Sequence, residues 1–514
     1  MARITIALET EKLSVTRAAF TSFVVLFVTM GTLSVSKAIV ILAIACLCSP
    51  GQRYADGQIE KLYVRTGLTL RIVVRYPESE LINRSLSTDL FIVGNGLGLA
   101  WNDPQLLTRP GTTDTWSIDL KFSGLPDGYG CAECIYNNVL PVNGRFEYRI
   151  LTSNKTDMLG PNHGTHIHIS KLEANFPVRE EFSYPFFFTR SGSVHATTVK
   201  SLVNQIIGSR IWGYYLPPSY NENHYKTYKT FVVPDLSPAY MELYRFSFDD
   251  IFVEKAIAEE VVFIGSHDYS LSNLTQGGPT NNEGRTDFLT PIPGIQYYCY
   301  NGDWSDNCAG CIPQNVSGQE YMEYFRDGCG YPVEVGGLGE DYLDHVVNEV
   351  LPAVQLLTND RIRFEIRNNL GIGGCSLGGL LACHALWTRP NTFGMGWCKS
   401  SSFWWPTEVN VDNGFYFLNH TIKKTNLGPR APQRIYIDVG ELEEDPYYAQ
   451  VSAALAVVDT MIANSPQFSM DESLWFTLAS GQVHSSTNCM SRTWNSLSLL
   501  SPPAGAARNP NPPA

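Results

Sequence analysis

The feature that most restricts this chain is one turn, Gly373-Gly374-Cys375-Ser376-Leu377-Gly378-Gly379. Residues 361–372 precede it, with apolar Phe364, Ile366 and Ile372 suited to a buried strand. Residues 380–388 follow as a helix that stops before Pro390. Strand, sharp turn and helix form the setting of a G-x-S-x-G nucleophile elbow, in which a serine hydroxyl projects beyond the end of a sheet. Gly374 and Gly378 leave space where a Cβ would strike the neighbouring strand or helix. The small Gly379, Ala382 and Ala385 let the helix lie close to the sheet. Ser376 is therefore the candidate nucleophile. The alternative is a glycine-rich turn whose serine only caps the helix.

A chain of 514 residues has room for two or three domains and a sizeable core. An apolar content of 44% with 12% aromatics describes a globular chain, and the net charge of −13 argues against a nucleic-acid partner. Near the N-terminus, residues 18–35 are apolar, Lys37 interrupts, and residues 38–48 are apolar again, with Arg3, Lys12 and Arg17 upstream. From Met30 to Gly57 this reads as a secretory signal. Read from Met1, it is a signal anchor with its basic end in the cytosol. Residues 1–56 are assigned to targeting on either reading, with cleavage favoured. The chain beyond residue 56 is expected to be secreted, lumenal or held at a membrane by the anchor. Of the 12 cysteines, Cys46 and Cys48 fall in this segment, leaving an even number that an oxidising compartment would pair. Sequons at Asn83, Asn154, Asn273, Asn315 and Asn419 permit glycosylation.

Residues 57–172 carry short β-rich runs at 68–74, 90–93, 116–122, 146–151 and 165–169, separated by turn residues such as Asn143-Gly144. That spacing predicts an antiparallel sandwich. The succession "LFIVGNGLGLAW", "TDTWSIDL", "GRFEYRI", "GPNHG" resembles starch-binding-type and related immunoglobulin-like modules. The resemblance would make Trp101 and Trp116 sugar-stacking residues, whereas burial is the favoured reading of both. Cys131 and Cys134 are expected to form a local disulfide, because the βαβ context of a redox CxxC is missing. His163, His166 and His168 lack a nearby acidic or cysteine partner for a metal.

Residues 173–189 read as a linker. Beyond them the pattern changes to strands at 193–203, 210–216, 230–233 and 261–265, a helix at 252–260 opened by Asp249-Asp250, and a longer helix at 342–357. Such alternation predicts a mainly parallel sheet covered on both faces. The stretches "RIWGYYLPPSY", "VVFIG", "NEGRTDFLTP", "GLGEDYLDHVVNEVLPAV" and "GIGGCSLGGLLACHALWTRPNTFG" occur in this order. In these motifs, residues 190–498 resemble the α/β-hydrolase esterase family of enterochelin esterases, feruloyl esterases, S-formylglutathione hydrolases and mycolyl transferases. The implied architecture is an α/β-hydrolase fold preceded by a small all-β sandwich. The chain departs from the family at Pro234-Asp235-Leu236-Ser237, where many members have Asp-Gly, and carries a cysteine-rich insertion at 296–331. Its Cys299, Cys308, Cys311 and Cys329 are expected to form two disulfides rather than a zinc site. Residues 499–514 read as a disordered tail.

A serine hydroxyl needs a base, and His484 is the best placed of the 10 histidines. It lies in a loop after the strand expected at 474–479, where the Ser-acid-His chain order requires it. The acid should follow the preceding strand at 434–439, where Glu441, Glu443, Glu444 and Asp445 cluster. The family resemblance selects Glu443, three positions after Gly440. One oxyanion N–H should be that of Leu377; by resemblance the other is that of Ser237, with Leu236 next. Trp404 and Trp405 are candidates for lining the substrate pocket, packing against the sheet being the alternative. The sequence thus points to a secreted or lumenal serine hydrolase of small-molecule or polysaccharide carboxylic esters, with no metal or organic cofactor implied. The rivals are acyl transfer to an alcohol or sugar and a binding protein on a dead hydrolase scaffold. No candidate catalytic residue falls within residues 57–172, so catalysis on small esters is expected from the chain beyond about residue 185.

Overall fold

A computed structural model of the chain describes residues 69–503, apart from 112, 122–144, 167–177, 203, 205–206, 267–282, 300–329, 406–420, 423–432, 445–448 and 466–467. The targeting segment, Cys131, Cys134, His168, most of the cysteine-rich insertion and the far C-terminal end lie outside the described residues. Residues 62–514 form one compact unit.

Seven strands build the N-terminal sandwich: β1 (Thr69–Arg75), β2 (Leu90–Gly94), β3 (Gln105–Leu106), β4 (Thr115–Lys121), β5 (Arg145–Thr152), β6 (His163–His166) and β7 (Val178–Ser183). They form two sheets, ordered β4-β1-β7 and β3-β2-β5-β6. Alternate residues of each sheet, among them Leu70, Ile72 and Val74 from β1 and Phe146, Tyr148 and Ile150 from β5, meet in one apolar cluster. Trp116 belongs to that core and donates its indole N–H to Thr88 O, whereas Trp101 is 46% exposed. His163 is half-buried beside Ser183 Oγ, and desolvation pushes its imidazole down to about 3. Part of the segment read as a linker is strand β7, which pairs with β1 in parallel.

The main sheet comes next. Its strands are β8 (Ser193–Lys200), β9 (Ser209–Leu216), β10 (Lys229–Val232) and β11 (Val261–Gly265), then β14 (Leu370–Cys375), β15 (Met395–Lys399), β16 (Arg434–Gly440) and β17 (Leu474–Ala479). Between them, β12 (Pro293–Cys299) and β13 (Gly330–Gly336) form a separate antiparallel pair. The eight-stranded order is β17-β16-β15-β14-β10-β11-β9-β8. Neighbours from β17 to β11 run parallel, and β9 and β8 add an antiparallel hairpin at one edge. Two apolar clusters pack against this sheet. This is the α/β-hydrolase fold, preceded by the sandwich.

Trp101, expected to be buried, is exposed, and Leu499, Leu500 and Ser501, expected in a disordered tail, are buried, the first two in the helix Thr493–Leu500. Two expected elements also move. The helix placed at 252–260 runs instead over Pro238–Asp249 and continues as a π turn over Asp250–Glu254. Ser237 caps it, accepting the Tyr240 N–H at 3.1 Å, and Pro238 takes the first helical position, where no N–H is needed. The strand before the elbow starts only at Leu370, after a short 3₁₀ turn over Arg367–Asn369.

The sandwich is fastened to the sheet by Glu222, whose carboxylate is 3% exposed. It accepts hydrogen bonds from Tyr76 OH (2.8 Å), Phe187 N (2.6 Å), Phe188 N (3.0 Å) and Thr189 N (2.8 Å). Adjacent Asn223 donates to Arg75 O and Pro185 O, both at 2.9 Å. Removing the carboxylate strands several buried donors. Glu222→Ala is therefore expected to destabilise the chain by about 3 kcal/mol. Urea unfolding measures this, and an unchanged midpoint would mean that the contact contributes nothing.

Candidate active site

β14 ends at Cys375, and the helix Leu377–Thr388 begins two residues later. Ser376 between them has φ 59° and ψ −124°, a conformation costly for a residue with a side chain. Backbone hydrogen bonds hold it from both sides. Ser376 N donates to Lys399 O at 3.1 Å, and Ser376 O accepts from Leu380 N at 3.0 Å and Ser402 N at 3.1 Å. A Cβ on Gly374 would collide with the Gly378 carbonyl. A Cβ on Gly378 would crowd Asp235 Oδ2 at 2.9 Å. The turn thus requires glycine at 374, whereas at 378 the obstacle is only the tip of the Asp235 side chain.

His484 follows β17, and Glu443 ends the 3₁₀ turn Glu441–Glu443 that follows β16. With its proton on Nδ1, His484 donates to Glu443 Oε2 at 3.0 Å and lies 3.2 Å from Gln450 Oε1. Glu443 is 4% exposed; its Oε1 accepts from Ser400 Oγ (2.6 Å) and Gly440 N (2.8 Å). Burial pushes this carboxyl upward, but His484, Ser400 and the Gly440 N–H together hold it below the ordinary carboxylate range. The neighbouring acids are engaged elsewhere. Glu441 accepts from Ser480 Oγ and Gly481 N, and Glu444 from Val451 N and Ser452 N, while Asp445 is outside the described residues.

Ser376 and His484 line one cavity of about 360 Å³. The Ser376 hydroxyl lies 3.3 Å from Ser402 Oγ, and the described hydrogen bonds of the imidazole go to Glu443 and Gln450. Among the described residues no hydrogen bond joins Ser376 to His484. The cavity wall is chiefly apolar and aromatic, with Val233, Leu236, Tyr244, Phe248, Phe263, Trp397 and Met490. Trp404 and Trp405 are not in it. Trp405 is buried in the core with its indole N–H on Ile292 O, and Trp404 packs against the same core cluster. Ser400 and Ser402 before them reach Glu443 and Ser376, and the chain then folds away from the site.

In the loop after β10, Val233 N donates to Ile264 O, Asp235 N to Ser266 O and Leu236 N to Val233 O, and the two prolines have no N–H. Ser237 carries the loop's remaining N–H, although the cavity wall includes Leu236 and not Ser237. Leu377 N opens the elbow helix, where backbone donors have no intrahelical partner. Asp235, at φ 72°, holds Arg285 in a two-pronged ion pair with contacts of 2.8 and 2.7 Å.

Sequence reasoning missed the layer beneath. Arg492 Nη2 lies 2.7 Å from Ser400 Oγ and 3.0 Å from Asp438 Oδ1. Asp438 is fully buried, and burial raises its pKa against the opposing charges of Arg492 and Lys399. Lys399, its register partner on β15, donates to Thr493 Oγ1 at 3.0 Å and Cys489 O at 3.4 Å. Burial pushes this ammonium down to about 7, aided by Arg492 and opposed by Asp438. Two disulfides, Cys375–Cys489 and Cys383–Cys398, flank the elbow. No local pattern marks the buried charges, because each acts through a partner at least 39 positions away. Among the described residues no cluster of three or more metal-ligating side chains exists, and no helix is long and apolar enough to cross a membrane.

The fold thus brings Ser376 and the Glu443-paired His484 to one cavity. No family model matches the chain. By sequence it is similar to a siderophore enterobactin esterase of Emericella nidulans, 35% identical over 112 residues, 20% of this chain and 36% of that protein. A siderophore triacetylfusarinine C esterase of Aspergillus fumigatus is 42% identical over 74 residues, 14% of this chain and 24% of the relative. The matched stretch thus spans about a third or less of these curated relatives. Both are siderophore esterases, in agreement with the esterase resemblance in the sequence. Among solved structures, siderophore hydrolase EstB from Aspergillus nidulans is similar at 15% identity and a TM-score of 0.39, over 60% of this chain and 95% of that one. The enterobactin esterase FES from Shigella flexneri is similar at 14% identity and a TM-score of 0.38, over 81% and 88%. Scores this low add nothing to the fold read from strand order.

The buried charge pair makes a direct prediction. Arg492→Met leaves Asp438 without its cation and is expected to cost about 3 kcal/mol or more. Adding Asp438→Asn should restore part of that loss. Urea denaturation of the singles and the double checks this, and additive losses would show that the two residues are not coupled.

Proposed function

We propose that this chain is a serine hydrolase of carboxylic esters. The observation that carries the reading is His484, held by the buried Glu443 carboxylate, at the same cavity as the strained Ser376. In this mechanism Ser376 Oγ attacks the ester carbonyl carbon while His484 Nε2 takes its proton. The carbonyl oxygen becomes an oxyanion facing the N–H groups of Leu377 and Ser237. The tetrahedral adduct then expels the alcohol, which takes the proton from His484. Water repeats the sequence on the acyl-enzyme and releases the acid. Glu443 keeps the proton on Nδ1 and stabilises the imidazolium while remaining ionised. The chemistry needs neither a metal nor an organic cofactor.

The two curated relatives, both named siderophore esterases, favour a small-molecule ester of that type over a polysaccharide ester. The two disulfides fit an oxidising, secreted or lumenal location. A panel of p-nitrophenyl, feruloyl, acetylated-sugar and siderophore esters, with and without alcohol acceptors, separates hydrolysis from transfer.

Ser376→Ala is expected to lower kcat by at least about 10³-fold with the fold intact, and a fluorophosphonate should label the wild type at Ser376 only. His484→Ala should be nearly as damaging. Glu443→Gln should cost about 10²- to 10⁴-fold, and Glu441→Gln and Glu444→Gln only about threefold or less. Full activity in Ser376→Ala, or labelling at a different serine, would end this reading.

A further inference from the structure

Lys399 is 2% exposed and lines the cavity that holds Ser376. The groups around its ammonium are the Thr493 hydroxyl, the Cys489 carbonyl and, 5.2 Å away, the Trp397 ring. All three residues also line that cavity. Among the described residues no carboxylate lies within ion-pair distance of the ammonium. Asp438 acts on it only from farther off and is itself paired with Arg492. The other charges at the site are also matched, Arg285 with Asp235 and His484 with Glu443.

A buried cation without a contacting anion is costly, and burial already drives Lys399 toward its neutral form. Most of the rest of the wall is aromatic and aliphatic, and its Arg285 and Asp235 are paired with each other, so the group that matches Lys399 is an anion brought by whatever occupies the space. The alcohol half of an ester departs on the side of His484, whose side chain is 39% exposed. The acyl half stays on Ser376, in the cavity that Lys399 also lines.

Building on the ester-hydrolase reading, we infer that the cavity selects an acyl group with an apolar body and an acidic end that pairs with Lys399. The preferred esters are thus half-esters of dicarboxylic acids, or acyl groups of the same shape and charge. Lys399 is the specificity-determining residue. A neutral lysine serving only as core filler would give no such preference.

The test uses the full chain and p-nitrophenyl esters in matched pairs. The half-esters of succinic, glutaric, adipic and suberic acids are each compared with the monocarboxylic ester of equal length. The expected result is one chain length at which the acidic ester has a kcat/KM at least about tenfold above its neutral partner. In Lys399→Met that ratio should collapse to about one or below. A wild type that prefers the neutral ester at every length, or a ratio that survives in Lys399→Met, overturns the inference. A second readout needs no turnover and no substitution at Lys399: thermal shifts of Ser376→Ala with free adipate against free hexanoate. Adipate should stabilise the protein more, and equal shifts count against the proposal. Hydrolysis of neutral esters without acidic preference defeats this inference alone. If no ester is hydrolysed and no fluorophosphonate is bound, the ester-hydrolase reading falls, and the thermal shifts then decide the anion site independently.

Discussion

The positive φ of Ser376 is the constraint on which the rest of the site depends. Only that bend lifts the hydroxyl off the end of β14 and starts a helix at the next residue. A side chain in such a conformation costs on the order of 1–3 kcal/mol, so the surroundings must over-determine it. They do so in three ways. Backbone hydrogen bonds pin Ser376 to Lys399, Leu380 and Ser402. The glycines on either side remove the Cβ atoms that would block the approach of helix to strand. The residue immediately before it, Cys375, is covalently tied to Cys489.

That tie extends the constraint to the other catalytic candidates. The C-terminal stretch that begins just after His484 carries Cys489, Arg492 and Thr493 in close succession. Cys489 reaches the elbow, Arg492 reaches Ser400 and Asp438, and Thr493 reaches Lys399. A single segment thus fastens the end of β14, the strands β15 and β16, and the loop of the base. The disulfide spans 114 positions, a separation at which chain-entropy reasoning gives about 4–5 kcal/mol of stabilisation.

What was legible in the sequence was the part encoded locally. The elbow, the strand that ends before His484 and the acidic turn after Gly440 each depend on neighbours a few positions away; Ser376 and His484 line one cavity, and Glu443 is hydrogen-bonded to His484 behind it. The boundaries of β17 are those expected. Ser237-Pro238 is as clear a helix start as Asp249-Asp250, but competing acidic caps drew the helix to the wrong place. Trp404 and Trp405 misled for a different reason. Proximity in sequence to the site says nothing of which way a tight turn sends the next two side chains, and here they go into the core. The cavity wall comes from the loop after β10, the helix Pro238–Asp249, β11, the elbow, β15 and the C-terminal segment, with Arg285 besides, and no periodicity links those sources. The Lys399–Asp438–Arg492 layer is visible only when β15 and β16 are laid in register.

Glu443 and Asp438 show how the site assigns different work to two carboxylates at similar depth. Asp438 is 0% exposed and Glu443 is 4% exposed, so leaving water is costly for both. Asp438 has a guanidinium at 3.0 Å but no donor well directed at its oxygens, and its pKa rises. Glu443 receives three directed hydrogen bonds, and its pKa falls. Directed donors, more than a nearby charge, decide in which direction a carboxyl in a dry site shifts. An acid that must hold an imidazole in one tautomer needs that ionised state, and Glu443 has the donors that maintain it. Asp438 serves the same end indirectly. It fixes Arg492, Arg492 fixes Ser400, and Ser400 supplies one of the three hydrogen bonds that keep Glu443 charged.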